Sequence, residues 1–262
     1  MSSRLLRFED WTSPVPPVRR EVLSALPHPD EGEPPLLFVP GLGHGGWAFR
    51  EHWLGHVASR GFAAYALTPR ERGSLRAYVH DVVQVAAGLP RQTVLVGHGT
   101  GALVVAHALA RYPARAAVLA APVLEGWPAL GAALRANPFG TLPALFGGAL
   151  KLNRKQLFGA EAPDAYAERL TPTPSAVARS LFTAPAPAAP AGSPPVLVVG
   201  SPDDRVVTRK ALDRTAARYG GAPLLFPGMG HDLMLDAAWR DPIDAILDWL
   251  VKELADQRHS GS

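Results

Sequence analysis

The chain has no cysteine and very little lysine, and both shortages limit what it can do. Without cysteine it has no disulfide, no thiolate nucleophile and no thiolate metal ligand. Only four of its 26 basic residues are lysine, and the net charge is a modest +3. No basic run is interleaved with aromatic residues, so the sequence gives no support for nucleic-acid binding.

Long apolar runs are also missing. No stretch approaches the roughly 20 apolar residues that span a bilayer. The first residues lead into Glu9 and Asp10 instead of the apolar segment of a signal peptide. We therefore expect a soluble, cytoplasmic protein without membrane association, and the sequence leaves its oligomeric state open.

Short apolar runs alternate with helical patterns along most of the 262 residues. This alternation predicts an α/β protein with a mostly parallel central sheet and helices on both faces. A composition of 47% hydrophobic and 19% charged residues suits one large domain. The predicted strands are 36–39, 62–67, 93–96, 116–121, 196–199 and 223–226, with helices over 75–88 and after Pro242.

The segment 124–191 interrupts this alternation. Its helix-like pieces, at 129–136, 142–157, 165–170 and 176–182, follow one another without a strand between them. We expect a helical cap inserted between the two parts of the core, 1–123 and 192–262, within a single structural domain. The proline-rich end of the segment predicts a stiff, extended return to the sheet.

A turn flanked by glycines carries the clearest chemical signal. Gly97-His98-Gly99-Thr100-Gly101 follows a predicted strand and precedes an almost wholly apolar helical stretch. Strand, tight turn and buried helix are the context of a nucleophile elbow, which lifts its central residue above the sheet. The central residue here is Gly99, which offers neither a nucleophile nor an acid. Glycine does suit the positive φ that this position requires.

Four segments together resemble the α/β hydrolases of the capped esterase, lipase and hydroxynitrile-lyase kind. One is the glycine-flanked turn, and another, 38–47, resembles the family's His-Gly turn, although Pro40 replaces the usual histidine. The segment 196–207 is similar to the strand and loop that bear the catalytic acid. The segment 226–235 is similar to the loop that bears the catalytic histidine, so the order along the chain is that of the hydrolases.

The resemblance implies that His231 is the catalytic histidine and Asp204 its acid. Asp203 is an alternative acid, because Ser201 stands where glycine is usual and blurs the register. Glu125 is a less favoured candidate for the same role.

The same resemblance places an oxyanion hole and a pocket. The backbone N–H groups of Leu42 and Thr100 would form the oxyanion hole, and both can survive the loss of a serine at position 99. The candidates for the wall of the substrate pocket are His44, His98, Trp47 and Met234.

A carboxylate paired with an imidazole is a complete general base even without a nucleophile. We therefore expect a hydrolase-, lyase- or cyclase-type enzyme, without metal or cofactor, that performs non-covalent chemistry on a small apolar carbonyl or ester substrate. Elimination, cyclisation, isomerisation and water-mediated hydrolysis all fit, and a role in secondary metabolism would suit a lyase or cyclase. The alternatives are a non-catalytic binder of an apolar ligand and a serine esterase whose nucleophile was replaced.

Overall fold

A computed structural model describes residues 12–30, 32–159 and 162–260. In these ranges a seven-stranded sheet has the order β1-β3-β2-β4-β5-β6-β7, in which β1 is antiparallel to β3 and every other pair is parallel. This confirms the predicted mostly parallel sheet, although β1 was not predicted. The strands are β1 (Val22–Ala25), β2 (Leu36–Val39), β3 (Ala64–Leu67), β4 (Val94–His98), β5 (Ala116–Ala120), β6 (Val196–Gly200) and β7 (Leu224–Leu225).

Helices cover both faces of this sheet. Within the described residues, the helices outside the predicted cap include α1 (Trp47–Arg50), α2 (Trp53–Ser59), α3 (Leu75–Gly88), α4 (Thr100–Leu109), α10 (Arg209–Arg218) and α11 (Arg240–Ser260). Within the described ranges, no helix combines the length and apolar character needed to cross a bilayer.

The central strands are apolar throughout because both of their faces are covered. On β2, Phe38 points to one face and packs against Phe49 with ring centroids 4.9 Å apart, while Leu37 points to the other face. Both Leu37 and Phe38 are fully buried. A continuous apolar run of this kind is typical of parallel strands buried on both sides.

Between β5 and β6 the described residues form helices and one isolated antiparallel bridge, Leu150 to Thr173. The predicted single helix over 142–157 is wrong. The chain leaves the helical conformation after Leu145, Gly147 adopts a φ of +91°, and a new short helix is capped by Asn153, whose side chain accepts a hydrogen bond from Gln156 N. The helices are α5 (Gly126–Ala136), α6 (Pro138–Leu145), α7 (Arg154–Leu157), α8 (Asp164–Glu168) and α9 (Ser175–Phe182).

Candidate active site

The turn between β4 and α4 is made by Gly99 alone. Its backbone has φ +55° and ψ −121°, a conformation that side chains disfavour. Its N–H donates to the Ala120 carbonyl at 3.0 Å, and its own carbonyl accepts from the Val123 N–H at 3.0 Å. The turn is thus fixed to β5 and to the loop that follows β5.

Packing requires the two glycines that flank this turn. A Cβ at Gly97 would lie 2.6 Å from Ala102 Cα, and one at Gly101 would overlap the Val39 carbonyl. A Cβ at Gly99 would instead point at a side chain, 3.1 Å from His231 Nε2. Position 99 therefore faces the imidazole that the sequence singled out.

The imidazole of His231 is held by Asp204. Its Nδ1 lies 2.8 Å from Asp204 Oδ2, and both side chains are almost completely buried. The other carboxylate oxygen of Asp204 accepts hydrogen bonds from the N–H groups of Val206 and Val207, at 2.6 and 3.0 Å. An ionised carboxylate on Nδ1 keeps the proton of the neutral ring on that nitrogen, which leaves Nε2 as an acceptor toward Gly99.

The two alternative acids lie elsewhere. Asp203 accepts a hydrogen bond from the Gly228 N–H at 2.7 Å, and Glu125 forms an exposed ion pair with Arg214. Among the three candidate acids, Asp204 is therefore the one in contact with His231.

The pKa of His231 reflects two opposing effects. Burial of the ring disfavours its charged form and lowers the pKa, but the charge and hydrogen bond of Asp204, with a smaller contribution from Asp232, outweigh burial. The net result is a pKa of His231 above its usual value. The ring is thus a stronger base than a free imidazole.

Beside this pair lies a second buried group that sequence reasoning missed: Asp232 with two histidines. Asp232 Oδ2 lies 2.9 Å from His44 Nε2, and its Oδ1 lies 3.4 Å from His98 Nε2. Burial by itself raises the pKa of Asp232, but His44 and His98 outweigh it and hold that pKa below its usual value. Asp232 is therefore a buried carboxylate anion immediately next to the candidate base.

His44 connects Asp232 to the loop that contains Leu42. Its Nδ1 lies 3.0 Å from the Leu42 carbonyl, and its Nε2 faces Asp232. These two contacts hold the ring between the Asp232 carboxylate and the loop that contains Leu42.

His98 differs from His44. Its Nε2 lies 3.1 Å from the His231 carbonyl, and burial lowers its pKa to about 4. The neutral ring donates from Nε2 to this carbonyl and lies 4.8 Å, between centroids, from the ring of His231. His98 therefore supports the loop that carries His231.

One of the two expected oxyanion donors is occupied. The Leu42 N–H donates to Thr100 Oγ1 at 2.9 Å. The loop and the first residue of α4 are thereby linked directly. The Leu42 amide becomes available to a substrate only if the Thr100 hydroxyl moves.

Two cavities meet at this link. The smaller one, about 50 Å³, is bordered by Gly99, His231 and His98. The larger one, about 470 Å³, extends over Trp47 toward α3 and α9. The residues that line both cavities are Gly41, Leu42, His44 and Thr100.

The predicted pocket residues divide between these cavities and the core. His44 lines both cavities, His98 the smaller one and Trp47 the larger one. The prediction that Met234 lines the pocket is wrong. Its side chain is fully buried in the core, on the turn Leu233–Leu235, and lines neither cavity.

The described residues include one group with the chemistry of metal ligands. His98, His231 and Asp232 each offer a ligand atom, and these atoms lie within 4.8 Å of one another. Hydrogen bonds to Asp204, His44 and the His231 carbonyl already account for the arrangement of the three side chains. We assign no metal to this group.

Residues 36–249 match the model of the alpha/beta hydrolase family. The chain therefore belongs to the α/β hydrolase family, as its fold and the order of its motifs indicate. No curated protein matched the sequence.

Solved structures share the fold at low identity. A monoacylglycerol lipase of Paleococcus ferrophilus is 20% identical, with a TM-score of 0.67 over 90% of this chain and 100% of that one. A soluble variant of the Saccharomyces cerevisiae monoglyceride lipase, in complex with a substrate analog, is 14% identical, with a TM-score of 0.66 over 91% and 96%. A thermophilic esterase from Thermogutta terrifontis is 16% identical, with a TM-score of 0.63 over 89% and 93%.

Proposed function

We propose that this protein is an enzyme in which His231 and Asp204 act as a general base, without a covalent nucleophile, on a small apolar carbonyl or ester substrate. The observation that carries the proposal is the buried contact of 2.8 Å between His231 Nδ1 and Asp204 Oδ2, with Nε2 directed at Gly99. General acid–base catalysis contributes about 10²- to 10⁴-fold. This is sufficient for reactions that need no acyl-enzyme.

In the proposed mechanism, His231 Nε2 removes a proton from the carbon next to a carbonyl or from a water. Asp204 stabilises the imidazolium that forms and keeps the Nδ1 proton, and Nε2 later returns its proton to the product. The negative charge that develops on the substrate oxygen is stabilised by hydrogen-bond donors at the start of α4. Elimination, cyclisation, isomerisation and hydrolysis by water all follow from this step.

The two cavities suit a substrate with a reacting group and a larger apolar body. A volume of about 50 Å³ holds a water, which occupies about 30 Å³ in the liquid, or a small reacting group. A volume of about 470 Å³ lies within the range of about 300–1,000 Å³ that is usual for small-molecule sites. The apolar side chains that line the larger cavity include Val39, Leu67, Val82, Val104, Val177 and Leu181.

The positive φ of +55° at position 99 favours glycine. A serine there would place its Cβ 3.1 Å from His231 Nε2, so the imidazole would have to shift by a few tenths of an ångström. The lipase and esterase structures with the same fold favour an ester among the possible substrates.

The occupied amide of Leu42 favours a second candidate function, a non-catalytic binder. A non-catalytic binder stabilises no oxyanion, so its Leu42 N–H can remain hydrogen-bonded to Thr100. The larger cavity would then hold an apolar ligand that leaves unchanged.

Turnover in the presence and absence of His231 distinguishes the two. We suggest a panel of simple ketones, assayed by NMR for exchange of their α-protons in D₂O, and p-nitrophenyl butyrate, assayed for hydrolysis. His231→Ala is expected to lose about 10²-fold or more of the wild-type rate. The matched control, His259→Ala, removes an exposed histidine on α11, whose Nδ1 lies 2.7 Å from the Ala255 carbonyl, and should leave the rate unchanged. Equal rates in wild type and His231→Ala would contradict the proposal, and binding without turnover in either would favour the second candidate.

A further inference from the structure

The Leu42 N–H is hydrogen-bonded to the side chain of Thr100. Thr100 is the first residue of α4 and is only 8% exposed. Its hydroxyl oxygen lies 2.9 Å from the Leu42 nitrogen, at the boundary where the two cavities meet. The Thr100 hydroxyl therefore occupies the Leu42 N–H, a backbone donor that the family resemblance assigned to the oxyanion hole.

A threonine hydroxyl has one proton to donate as well as lone pairs to accept with. Here the oxygen accepts from Leu42, and among the described residues no acceptor receives the hydroxyl proton. Thr100 and His231 both line the smaller cavity, and His231 Nε2 faces position 99. The hydroxyl proton is thus free to point into the space where a substrate oxygen would lie.

We propose that the Thr100 hydroxyl is the donor that binds the carbonyl oxygen of the substrate, in place of the Leu42 amide. The Leu42 N–H polarises the hydroxyl by hydrogen-bonding to its oxygen, and this strengthens the bond that the hydroxyl donates. Thr100 is then a catalytic residue that contacts the reacting group, and Leu42 acts through it.

With a ketone that carries an α-proton, this donor would stabilise the enolate oxygen, and that part of the inference rests on the proposed function. His231 Nε2 takes the α-proton, the C–H electron pair forms the enolate double bond, and the carbonyl electron pair moves to the oxygen. The Thr100 hydroxyl stabilises that oxygen, and the proton returns from His231 to the same or a neighbouring carbon. No oxidant or further reactant is needed.

The alternative arrangement is displacement. In it, the substrate oxygen pushes the hydroxyl aside and accepts directly from Leu42 N–H. Removing the hydroxyl would then leave binding unchanged or improve it, because the amide would be free from the start.

The test uses the carbonyl stretching frequency of bound acetophenone, labelled with ¹³C at the carbonyl and observed by infrared difference spectroscopy. A donated hydrogen bond lowers this frequency. Wild type and Thr100→Ser are expected to show the same lowered frequency, and Thr100→Val, which keeps the shape but not the hydroxyl, a higher one. His231→Ala should keep the lowered frequency while it loses α-proton exchange, so a failure of the proposed base is distinguished from a failure of the donor.

Exchange rates give the second readout. Thr100→Val is expected to lower kcat for α-proton exchange by about 10²- to 10³-fold, the usual cost of one oxyanion donor. Thr100→Ser should restore most of it. A carbonyl frequency in Thr100→Val as low as that in the wild type, an undiminished exchange rate in this variant, or failure of acetophenone to bind to the wild type would each overturn the inference.

Discussion

Nδ1 of His231 lies 2.8 Å from Oδ2 of Asp204, and the opposite nitrogen of the ring faces the glycine at position 99. This contact both orients the imidazole and raises its pKa against the effect of burial. Under the proposed function, the pH dependence of turnover should therefore depend mainly on the Asp204 carboxylate.

The pH dependence of turnover should follow from this pair. A general base is active when neutral, so kcat/KM should fall as the pH is lowered through the pKa of His231, which lies above the usual value of about 6.5. Asp204→Asn removes the largest causes that raise this pKa and leaves burial, which lowers it. The acid limb should move to lower pH while the rate drops by as much as about 10⁴-fold.

A pH–rate profile of both proteins on the same panel substrate measures this shift. Asp203→Asn is the control, because that carboxylate caps the Gly228 amide and does not contact His231. An acid limb that stays in place in Asp204→Asn would argue against Asp204 as the partner.

Substitution of Gly99 should destabilise the fold. Alanine at this position must adopt a φ of +55° and place its Cβ 3.1 Å from His231 Nε2. We expect Gly99→Ala to lower the free energy of unfolding by about 1–3 kcal/mol. The control, Gly55→Ala, lies in α2 with open space around its Cβ and should stabilise the protein by about 0.5–1 kcal/mol. Urea unfolding should therefore show changes in the free energy of unfolding of opposite sign for the two variants. A Gly99→Ala variant as stable as the wild type would be inconsistent with a strained turn.

The buried pair of His44 and Asp232 should be important for stability. Both side chains are nearly inaccessible, so Asp232→Ala leaves the buried His44 Nε2 without its hydrogen-bond partner and is expected to cost about 1–3 kcal/mol. The exposed pair of Arg60 and Asp248 is the comparison, and Asp248→Ala should cost about 1 kcal/mol or less. Similar unfolding midpoints for the two variants would show that the pair contributes little.

The sequence predicted the central sheet because strands such as β2 and β4 are apolar on both faces. It did not predict β1, a short edge strand that is mostly half-buried and has no long apolar run. The helix over 142–157 was wrong because apolar content continues through Gly147, where the backbone leaves the helical region.

In the site, the order of the motifs along the chain was enough to predict that His231, Asp204 and Gly99 lie close together. The role of Asp232 was missed because its partner His44 lies 188 residues away. The signals that could have found it are its position directly after His231 and the histidine in the glycine-rich segment 38–47. The link between Leu42 and Thr100 depends on a side-chain orientation, which no sequence pattern specifies.

Serine reactivity tests the non-covalent chemistry most directly. The wild-type protein is treated with a fluorophosphonate, which reacts with activated serine nucleophiles, and its intact mass is measured. With Gly99 facing His231, we expect the mass to remain that of the unmodified chain. A stoichiometric phosphonate adduct would show that another serine serves as nucleophile and would contradict the assignment of a general base without a covalent partner.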